Sequence, residues 1–337
     1  MVAMLSIVIP VYRNEGSLPD LIAALSEVAI KAKRDYACPL EVVFVVDGSP
    51  DNCHALLAQQ LPKAPFTSQL LLHSRNFGSF AAIRTGLRAA KGDYFAVIAA
   101  DLQEPPELAL QFLEKLQTGE YDVVVGCREN RQDPLLSRAS SNLFWKLYKR
   151  FVIRDIPEKG VDVFACDRAF RDQLLQLGEA NSSLVGQIFW LGFRRGEVLY
   201  ERRLRQHGKS AWTLKKKINY LLDSIFSFTD LPVKLLTLFG LIGVAASLLL
   251  TLIIIIAKAY GDITVPGYTA TVLTVVFFGG LNSLGIGIVG TYAWRAFENT
   301  KNRPLSIVMM SRSFDGQPSP PPPLPPAGEG RKSKEPA

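Results

Sequence analysis

The residues best suited to chemistry lie in the stretch Ala99–Glu107, which follows an apolar run at residues 94–98. Asp101 and Gln103 stand two positions apart in it, so a carboxylate and an amide oxygen can face one divalent cation. Oxygen ligands suit a hard ion, Mg²⁺ or Mn²⁺, of the kind that accompanies a diphosphate. Because the chain also carries two long apolar segments near its end, the sequence predicts nucleotide chemistry beside a lipid bilayer.

Residues 1 to about 125 alternate between strand-like and helix-like segments, which predicts an α/β fold with a doubly wound, mostly parallel sheet. The predicted strands are residues 5–11, 41–46, 70–72, 94–99 and 122–125. The predicted helices are residues 18–33, 51–61, 79–90, 106–117, 136–151, 168–177 and 183–191. Ligands bind at the carboxyl ends of strands in such sheets. Asp47 and Asp101 both follow predicted strands, so we expect them to share one crevice.

The net charge indicates the class of partner, and the cysteine spacing indicates the state of the thiols. The chain has 337 residues and a formal charge of +7, which suits an anionic partner such as a nucleotide or a lipid headgroup. It has no recognisable nucleic-acid-binding motif, so we expect no nucleic-acid partner. The 4 cysteines are far apart and lack Cys-x-x-Cys spacing, which favours reduced cytoplasmic thiols over disulfides or a zinc site.

Two segments, residues 235–257 and 270–293, contain no charged residue and are long enough to cross the hydrocarbon core. The amphipathic segment before them is interpreted as a helix lying in the membrane interface, although an ordinary surface helix has the same pattern. Basic residues flank the pair of spans, so the positive-inside rule predicts a multi-pass protein of the cytoplasmic (inner) membrane with both termini in the cytoplasm. Small residues recur along the second span, which leaves self-association through the spans open.

The predicted organisation has four parts. They are a cytoplasmic catalytic domain (1–212), an amphipathic juxtamembrane helix (213–232), a transmembrane hairpin (233–296) and a cytoplasmic tail (297–337). The tail is rich in proline from about residue 313, so we expect it to be disordered with polyproline II character.

Four motifs, taken in order, resemble those of the family 2 glycosyltransferases. They are Ile7–Glu15, Val46–Asn52, Arg75–Gly78 and Ala100–Glu107. The stretch Arg205–Ser210 and the paired spans resemble features of the polyprenyl-phosphate branch of that family. This branch includes dolichol-phosphate mannose synthase and bacterial undecaprenyl-phosphate enzymes. The resemblance covers roughly residues 4–300 and implies a GT-A-like catalytic domain.

The resemblance implies a site for a nucleotide sugar, most often a UDP-sugar. The donor-binding residues that it assigns are Pro10, Tyr12, Glu15, Asp47, Ala100 and Asp101. It makes Asp101 and Gln103 the ligands of Mg²⁺ or Mn²⁺. The alternatives are a turn-forming role for Asp47 and a helix N-cap role for Asp101. Val46 and Ala99 stand where relatives often carry Asp, so one polar contact and one carboxylate are missing.

The resemblance also assigns catalytic and acceptor residues. Asp162 matches the position of a general base in the family. Asp101 is the second residue assigned a catalytic role. Since a lipid phosphate is already an anion at pH 7, Asp162 can instead orient a sugar hydroxyl or steer the nucleophile. Residues for the acceptor phosphate and the diphosphate are Arg128, Arg138, Arg205, Lys209 and Ser210. A solvated basic surface beside anionic lipids is the alternative for these cations.

The expected function is inverting transfer of a sugar from a nucleotide diphosphate sugar to a polyprenyl phosphate on the cytoplasmic leaflet. Two alternatives stay open. One is a processive polysaccharide synthase, although Gln206–Ser210 does not match the Gln-x-x-Arg-Trp motif of that class. The other is a catalytically silent nucleotide-binding scaffold, which the departures at Val46 and Ala99 keep open.

Overall fold

The computed structural model describes residues 2–129, 149, 157, 161, 163–179, 182–203, 214–260 and 267–316. Within these ranges the strands are β1 (Leu5–Val11), β2 (Leu40–Val46), β3 (Thr67–His73), β4 (Tyr94–Val97), β5 (Val123–Arg128), β6 (Val163–Asp167), β7 (Arg195–Tyr200) and β8 (Val308–Phe314). The helices are α1 (Leu18–Tyr36), α2 (Cys53–Gln60), α3 (Ser79–Ala89), α4 (Leu108–Gln117), α5 (Arg168–Gln176), α6 (Leu184–Trp190), α7 (Leu214–Phe228), α8 (Leu231–Ala259) and α9 (Tyr268–Thr300).

All of these strands form one sheet in the order β7-β5-β6-β4-β1-β2-β3-β8. The central strands β4, β1, β2 and β3 are parallel, as the alternation of elements predicts. Every residue of β2 is buried because the sheet is covered on both faces. Successive residues of β2 alternate between two cores, with Val42 and Phe44 in one and Val43 and Val45 in the other. The predicted mixed α/β architecture is confirmed.

The direction of the outer strands decides which loops meet at the functional edge. β6 is antiparallel to both β4 and β5, and β5 is parallel to β7. β5 and β7 therefore point the same way as β4. The carboxyl ends of β1 to β5 and of β7 consequently lie along one edge of the sheet, together with the start of β6.

The C-terminal segment corrects the predicted domain plan. β8 pairs antiparallel with β3, from Ser68–Phe314 to His73–Val308, and so completes the catalytic sheet. The predicted plan places residues 297–337 in a tail apart from the catalytic domain, whereas residues 308–314 form this strand of the sheet. The segment carries no alternating apolar pattern because β8 is an edge strand that is largely exposed on both faces. The proline-rich run beyond it lies outside the described residues.

α7 is docked onto the catalytic domain through α6. The Ser183 hydroxyl is 2.8 Å from the Tyr220 hydroxyl, and the Tyr220 ring packs near Phe80 of α3. Gly186 lies so close to Phe228 that an added Cβ would stand 2.3 Å from the ring. The side chains of Tyr220 and Phe228 therefore fix α7 against α3 and α6.

α8 and α9 cover the two segments that the sequence predicts as spans. Many of their large apolar side chains are exposed, including Leu238, Leu241, Ile242, Leu249, Leu252, Val275, Phe277, Ile286 and Val289. Over the residues whose side chains the structure describes, no single helix has both the length and the apolar composition of a membrane span. The bent pair Tyr220–Phe228 and Leu231–Gly243, kinked by 76°, meets both conditions together. The two spans stay predictions.

Candidate active site

Four loops meet at the carboxyl edge of the sheet. β1 lies between β2 and β4, so Asp47 and Asp101, which follow these two flanking strands, lie on the same edge about 10 Å apart in strand spacing. The loop after β1 lies between them, with Tyr12 and Glu15 half-buried, and Pro10 is half-buried at the end of β1 itself. Asp47 and Asp101 therefore lie on the same edge of the sheet, as expected, and their opening into one shared crevice stays a prediction.

The loop after β1 (the first loop) and the loop after β2 (the second loop) are joined by hydrogen bonds. The Arg13 amide donates to Ser49 Oγ at 2.8 Å, and Arg13 has a φ of 57°. The Glu15 amide donates to Asp51 Oδ2 at 3.3 Å, while Glu15 Oε2 accepts from the Asn52 amide at 3.2 Å. Glu15 therefore binds the second loop in two ways, and its carboxylate helps to shape the crevice wall.

Asp51 and Cys53 have opposite pKa shifts within this wall. Burial favours a higher pKa for Asp51, but hydrogen bonds from Cys53, Ser49 and the Glu15 amide outweigh it and hold the pKa below its usual value. Burial, together with the hydrogen bond to Asp51, raises the pKa of Cys53 to about 12. The ionised Asp51 thus stabilises the loop junction, and the Cys53 thiol stays neutral at physiological pH.

Asp47 is buried rather than open to the crevice. Its Oδ1 accepts from the Phe77 amide at 2.8 Å, and its Oδ2 accepts from the Gly78 amide at 2.8 Å. Oδ1 also lies 2.8 Å from Nδ1 of the buried His73. With only 3% of its side chain exposed, the carboxylate is satisfied by its own protein. Its direct contact with a nucleotide stays a prediction, whereas the structure shows it shaping the loop after β3.

Gly48 makes this arrangement possible. Its φ of 56° is in the left-handed region, and a Cβ at this position would lie 2.3 Å from the backbone carbon of Arg75. The turn after β2 and the loop after β3 therefore pack backbone against backbone. The Asn76 side chain adds a hydrogen bond to the Asp47 carbonyl at 3.3 Å.

The loop after β4 holds the predicted metal ligands. Ser17, at the N-cap position of α1, donates its hydroxyl to the Ala100 carbonyl at 2.7 Å and so ties this loop to the first one. Asp101 Oδ1 accepts from the Gln103 amide at 3.2 Å. Leu102 between them has a φ of 57°, a strained value for leucine that turns the loop sharply. Ala100 is buried and its carbonyl is bonded to Ser17, so its contact with a nucleotide stays a prediction.

The segment after β7 closes on this loop. Arg202 Nη2 donates to Gln103 Oε1 at 2.6 Å, and its Nε lies 3.4 Å from the buried carboxylate of Glu104. The Arg203 amide donates to the Gln103 carbonyl at 2.9 Å. Gln103 therefore uses both its side chain and its backbone to hold the end of β7 against the loop that carries Asp101.

The donor set at this loop limits how a divalent cation could bind. Among the described residues, no three His, Cys, Asp or Glu side chains come together as a metal cluster. Asp101 supplies one half-buried carboxylate, and the amide oxygen of Gln103 already accepts from Arg202. Such a set fits Mg²⁺ or Mn²⁺ that takes most of its ligands from water and substrate phosphate.

Among the predicted acceptor and catalytic residues, the structure describes Arg128. It is half-buried at the carboxyl end of β5, on the same edge as Asp101 but separated from β4 by β6. Its register partner is Tyr200 at the end of β7, next to the segment that carries Arg202. The remaining predicted residues, Arg138, Asp162, Arg205, Lys209 and Ser210, lie outside the described residues.

Two residues of the site were not predicted individually. His73 ends β3 and faces Asp47 at the end of the neighbouring strand. The sequence does contain a signal for this residue. It is a histidine at the end of an apolar strand, directly before the Arg75–Gly78 motif. Arg202 belongs to a basic run whose partner, Gln103, lies 99 positions away, and sequence spacing gives no sign of such a contact.

Comparison with known proteins agrees with these observations. The family model described as "Glycosyl transferase family 2" matches residues 6–177. The chain is 34% identical over 311 residues to an uncharacterized glycosyltransferase of Synechocystis sp., covering 91% of this chain and 95% of the relative. It is 31% identical over 308 residues to a prophage-derived bactoprenol glucosyl transferase of Shigella flexneri, covering 91% of this chain and 98% of the relative.

A solved structure is similar at lower identity. Glucosyl-3-phosphoglycerate synthase from Mycobacterium tuberculosis matches with a TM-score of 0.44 and 16% sequence identity. The match covers 66% of this chain and 80% of that protein.

Proposed function

This chain belongs to glycosyl transferase family 2, and from that premise we propose that it transfers a sugar from a nucleotide diphosphate sugar to a polyprenyl phosphate. The observation that carries the proposal is the extent of the similarity to a bactoprenol glucosyl transferase. That similarity covers 91% of this chain, so it includes long helices as well as the catalytic sheet. At the sheet edge described above the loops after β1, β2, β3 and β4 lie side by side, and we propose that the donor binds there.

The crevice suits a nucleoside diphosphate with UDP as the expected nucleotide. The loops after β1, β2 and β3 form one hydrogen-bonded wall, and the loop after β4 places the Asp101 carboxylate beside it. We propose that Asp101 orients the diphosphate end of the donor. A bound Mg²⁺ or Mn²⁺ would neutralise charge on the departing diphosphate. Arg202 is held at the same loop by Gln103 and Glu104.

Transfer requires one bond to form and one to break at the anomeric carbon. A lipid phosphate oxygen attacks that carbon, and the bond from the carbon to the diphosphate oxygen breaks with inversion of configuration. The nucleoside diphosphate leaves with the electron pair, so no oxidant or additional reactant is needed. We propose that Arg128, with Arg138, Arg205, Lys209 and Ser210, binds the anionic groups, and that Asp162 steers the nucleophile or orients the sugar.

We propose that α8 and α9 span the cytoplasmic membrane as a hairpin. Their exposed apolar side chains suit contact with lipid. Because β8 follows α9 and returns to the catalytic sheet, the chain must cross an even number of times. With α7 as an interfacial helix, the crevice would lie on the cytoplasmic leaflet, where a lipid phosphate meets a soluble donor. Self-association through the two spans belongs to the same proposal.

The decisive experiment is a transfer assay on the purified full-length protein with undecaprenyl phosphate and a panel of nucleotide sugars, in Mg²⁺, Mn²⁺ or excess chelator. We expect one UDP-sugar to be consumed, only when lipid phosphate and a divalent cation are present, giving a lipid carrying a single sugar. Growth of a sugar chain would indicate a processive synthase. Nucleotide binding without any transfer would indicate a silent scaffold.

A further inference from the structure

A series of four hydrogen-bonded polar side chains runs from the end of β2 to the segment that follows α9. Asp47 Oδ1 lies 2.8 Å from His73 Nδ1, and His73 Nε2 lies 2.9 Å from Thr85 Oγ1. Thr85 Oγ1 is in turn 2.7 Å from Ser306 Oγ. The His73 side chain has no exposed surface, so both ring nitrogens depend on these partners.

The chemistry of a carboxylate fixes the direction of the first contact in this series. A carboxylate only accepts hydrogen bonds, so His73 Nδ1 donates to Asp47. The Thr85 hydroxyl has one proton, which it can donate either to Nε2 or to the Ala81 carbonyl 3.0 Å away, and its oxygen can accept from Ser306. Every member has a partner in this arrangement. The hydroxyl of Ser306 thereby reaches the carboxylate of Asp47 through two buried side chains.

His73 also touches the loop that Asp47 holds. The Phe77 ring stands edge-on to the His73 ring at 5.5 Å, and the Arg75 guanidinium lies 4.1 Å from the centre of the Phe77 ring. The Ser74 amide donates to the Ile307 carbonyl at 3.0 Å, next to Ser306. The loop after β3 is therefore held from inside by His73 and from one end by the segment after α9.

We propose that His73 is a positioning residue for the donor site. It orients the Asp47 carboxylate, which fixes the Phe77 and Gly78 amides at the start of α3. Through Thr85 and Ser306 it makes this loop geometry depend on the segment between α9 and β8. A loop fixed in advance loses less freedom when a ligand binds, so donor affinity depends on the chain of contacts. The inference rests on the proposed function only in naming a nucleotide as the ligand.

A pair of substitutions separates the two ends of the His73 ring. In His73→Asn the amide nitrogen can replace Nδ1 and donate to Asp47, but the side chain no longer reaches Thr85. In His73→Gln the amide can replace Nε2 and reach Thr85, but the donor to Asp47 is lost. Both variants leave some empty volume in the core, so an effect of packing alone lowers the unfolding temperature of both and does not distinguish them.

Two readouts on the full-length protein decide the matter. UDP affinity, measured by calorimetry, should fall about 10-fold in His73→Gln and be largely retained in His73→Asn. Amide hydrogen exchange at Phe77 and Gly78 should be faster in His73→Gln than in His73→Asn. Equal affinity and equal exchange in the two variants would overturn the positioning role. If the wild-type protein binds no UDP, the proposed donor is wrong, and the exchange measurement still decides the role of His73.

Ser306→Ala tests the link to the segment after α9. It removes one hydroxyl at the far end of the chain of contacts, and Ser311→Ala removes an exposed one from β8 as a matched control. We expect faster exchange at Phe77 and Gly78 in Ser306→Ala alone. Identical exchange in the two serine variants would overturn the link.

Discussion

Arg202 and Gln103 are joined side chain to side chain by a 2.6 Å hydrogen bond, although they are 99 positions apart. The bond ties the segment after β7 to the loop that carries Asp101. In the sequence, Arg202 comes shortly before the predicted cations Arg205 and Lys209. It also engages the amide oxygen that the sequence predicts as a metal ligand. Any cation that uses Gln103 must compete with this guanidinium or share the oxygen with it.

Arg202 and its neighbour Arg203 form a matched pair for testing this contact. Arg202→Ala removes the bond to Gln103 and the 3.4 Å contact with the buried Glu104 carboxylate. The loss of a hydrogen bond to a charged group, about 1.5–3 kcal/mol, predicts a 10- to 150-fold loss in kcat/KM for the donor. Arg203→Ala should have little effect, because its side chain is 57% exposed and 3.9 Å from Glu107. Equal losses in both variants would mean that only the net charge matters.

Asp101 is the single carboxylate described at the proposed diphosphate position. Asp101→Asn is isosteric and keeps an acceptor for the Gln103 amide, so the loop should fold unchanged. We expect transfer to fall about 100-fold or more, because the negative charge is lost. Asp35→Asn, at the far end of α1, is the control. Initial rates and Mn²⁺-dependent UDP binding provide the measurement. Full activity of Asp101→Asn, or full activity in excess chelator, would contradict the assignment.

The sequence predicts β1, β2, β4 and β5 well because each contains an apolar run, but it finds only residues 70–72 of β3 and does not find β6 or β7. It does not reveal β8, which has no apolar alternation and pairs with a strand more than 200 positions earlier. The same limit applies to the site. The shared edge of Asp47 and Asp101 follows from where their strands end, but the contacts from Asp47 to His73 and from Gln103 to Arg202 do not. Side-chain pairs that are distant along the chain leave no trace in local spacing.

Gly186 tests the docking of α7 onto the catalytic domain. In Gly186→Ala the new methyl would lie 2.3 Å from Phe228, so the ring must move. We expect a loss of about 1–3 kcal/mol in stability, partly offset by the better helix propensity of alanine. Gly240→Ala, a helical position with nothing within 4 Å, is the control and should be neutral or stabilising. Thermal unfolding in detergent measures both, and Phe228→Leu should rescue Gly186→Ala if the two residues are coupled.

Asp51 gives the loop junction a predictable dependence on pH. Its pKa in the folded protein lies below its usual value, since hydrogen bonds from Cys53, Ser49 and the Glu15 amide outweigh the effect of burial. A depressed pKa means that the carboxylate stabilises the fold above its unfolded pKa of about 3.9, and that this contribution is lost as the pH falls through the folded value. Asp51→Asn should therefore unfold at a lower temperature than wild type at pH 7, and the difference should shrink towards pH 3. A difference that stays constant between pH 7 and pH 3 would show that the charge of Asp51 does not stabilise the junction between the first two loops.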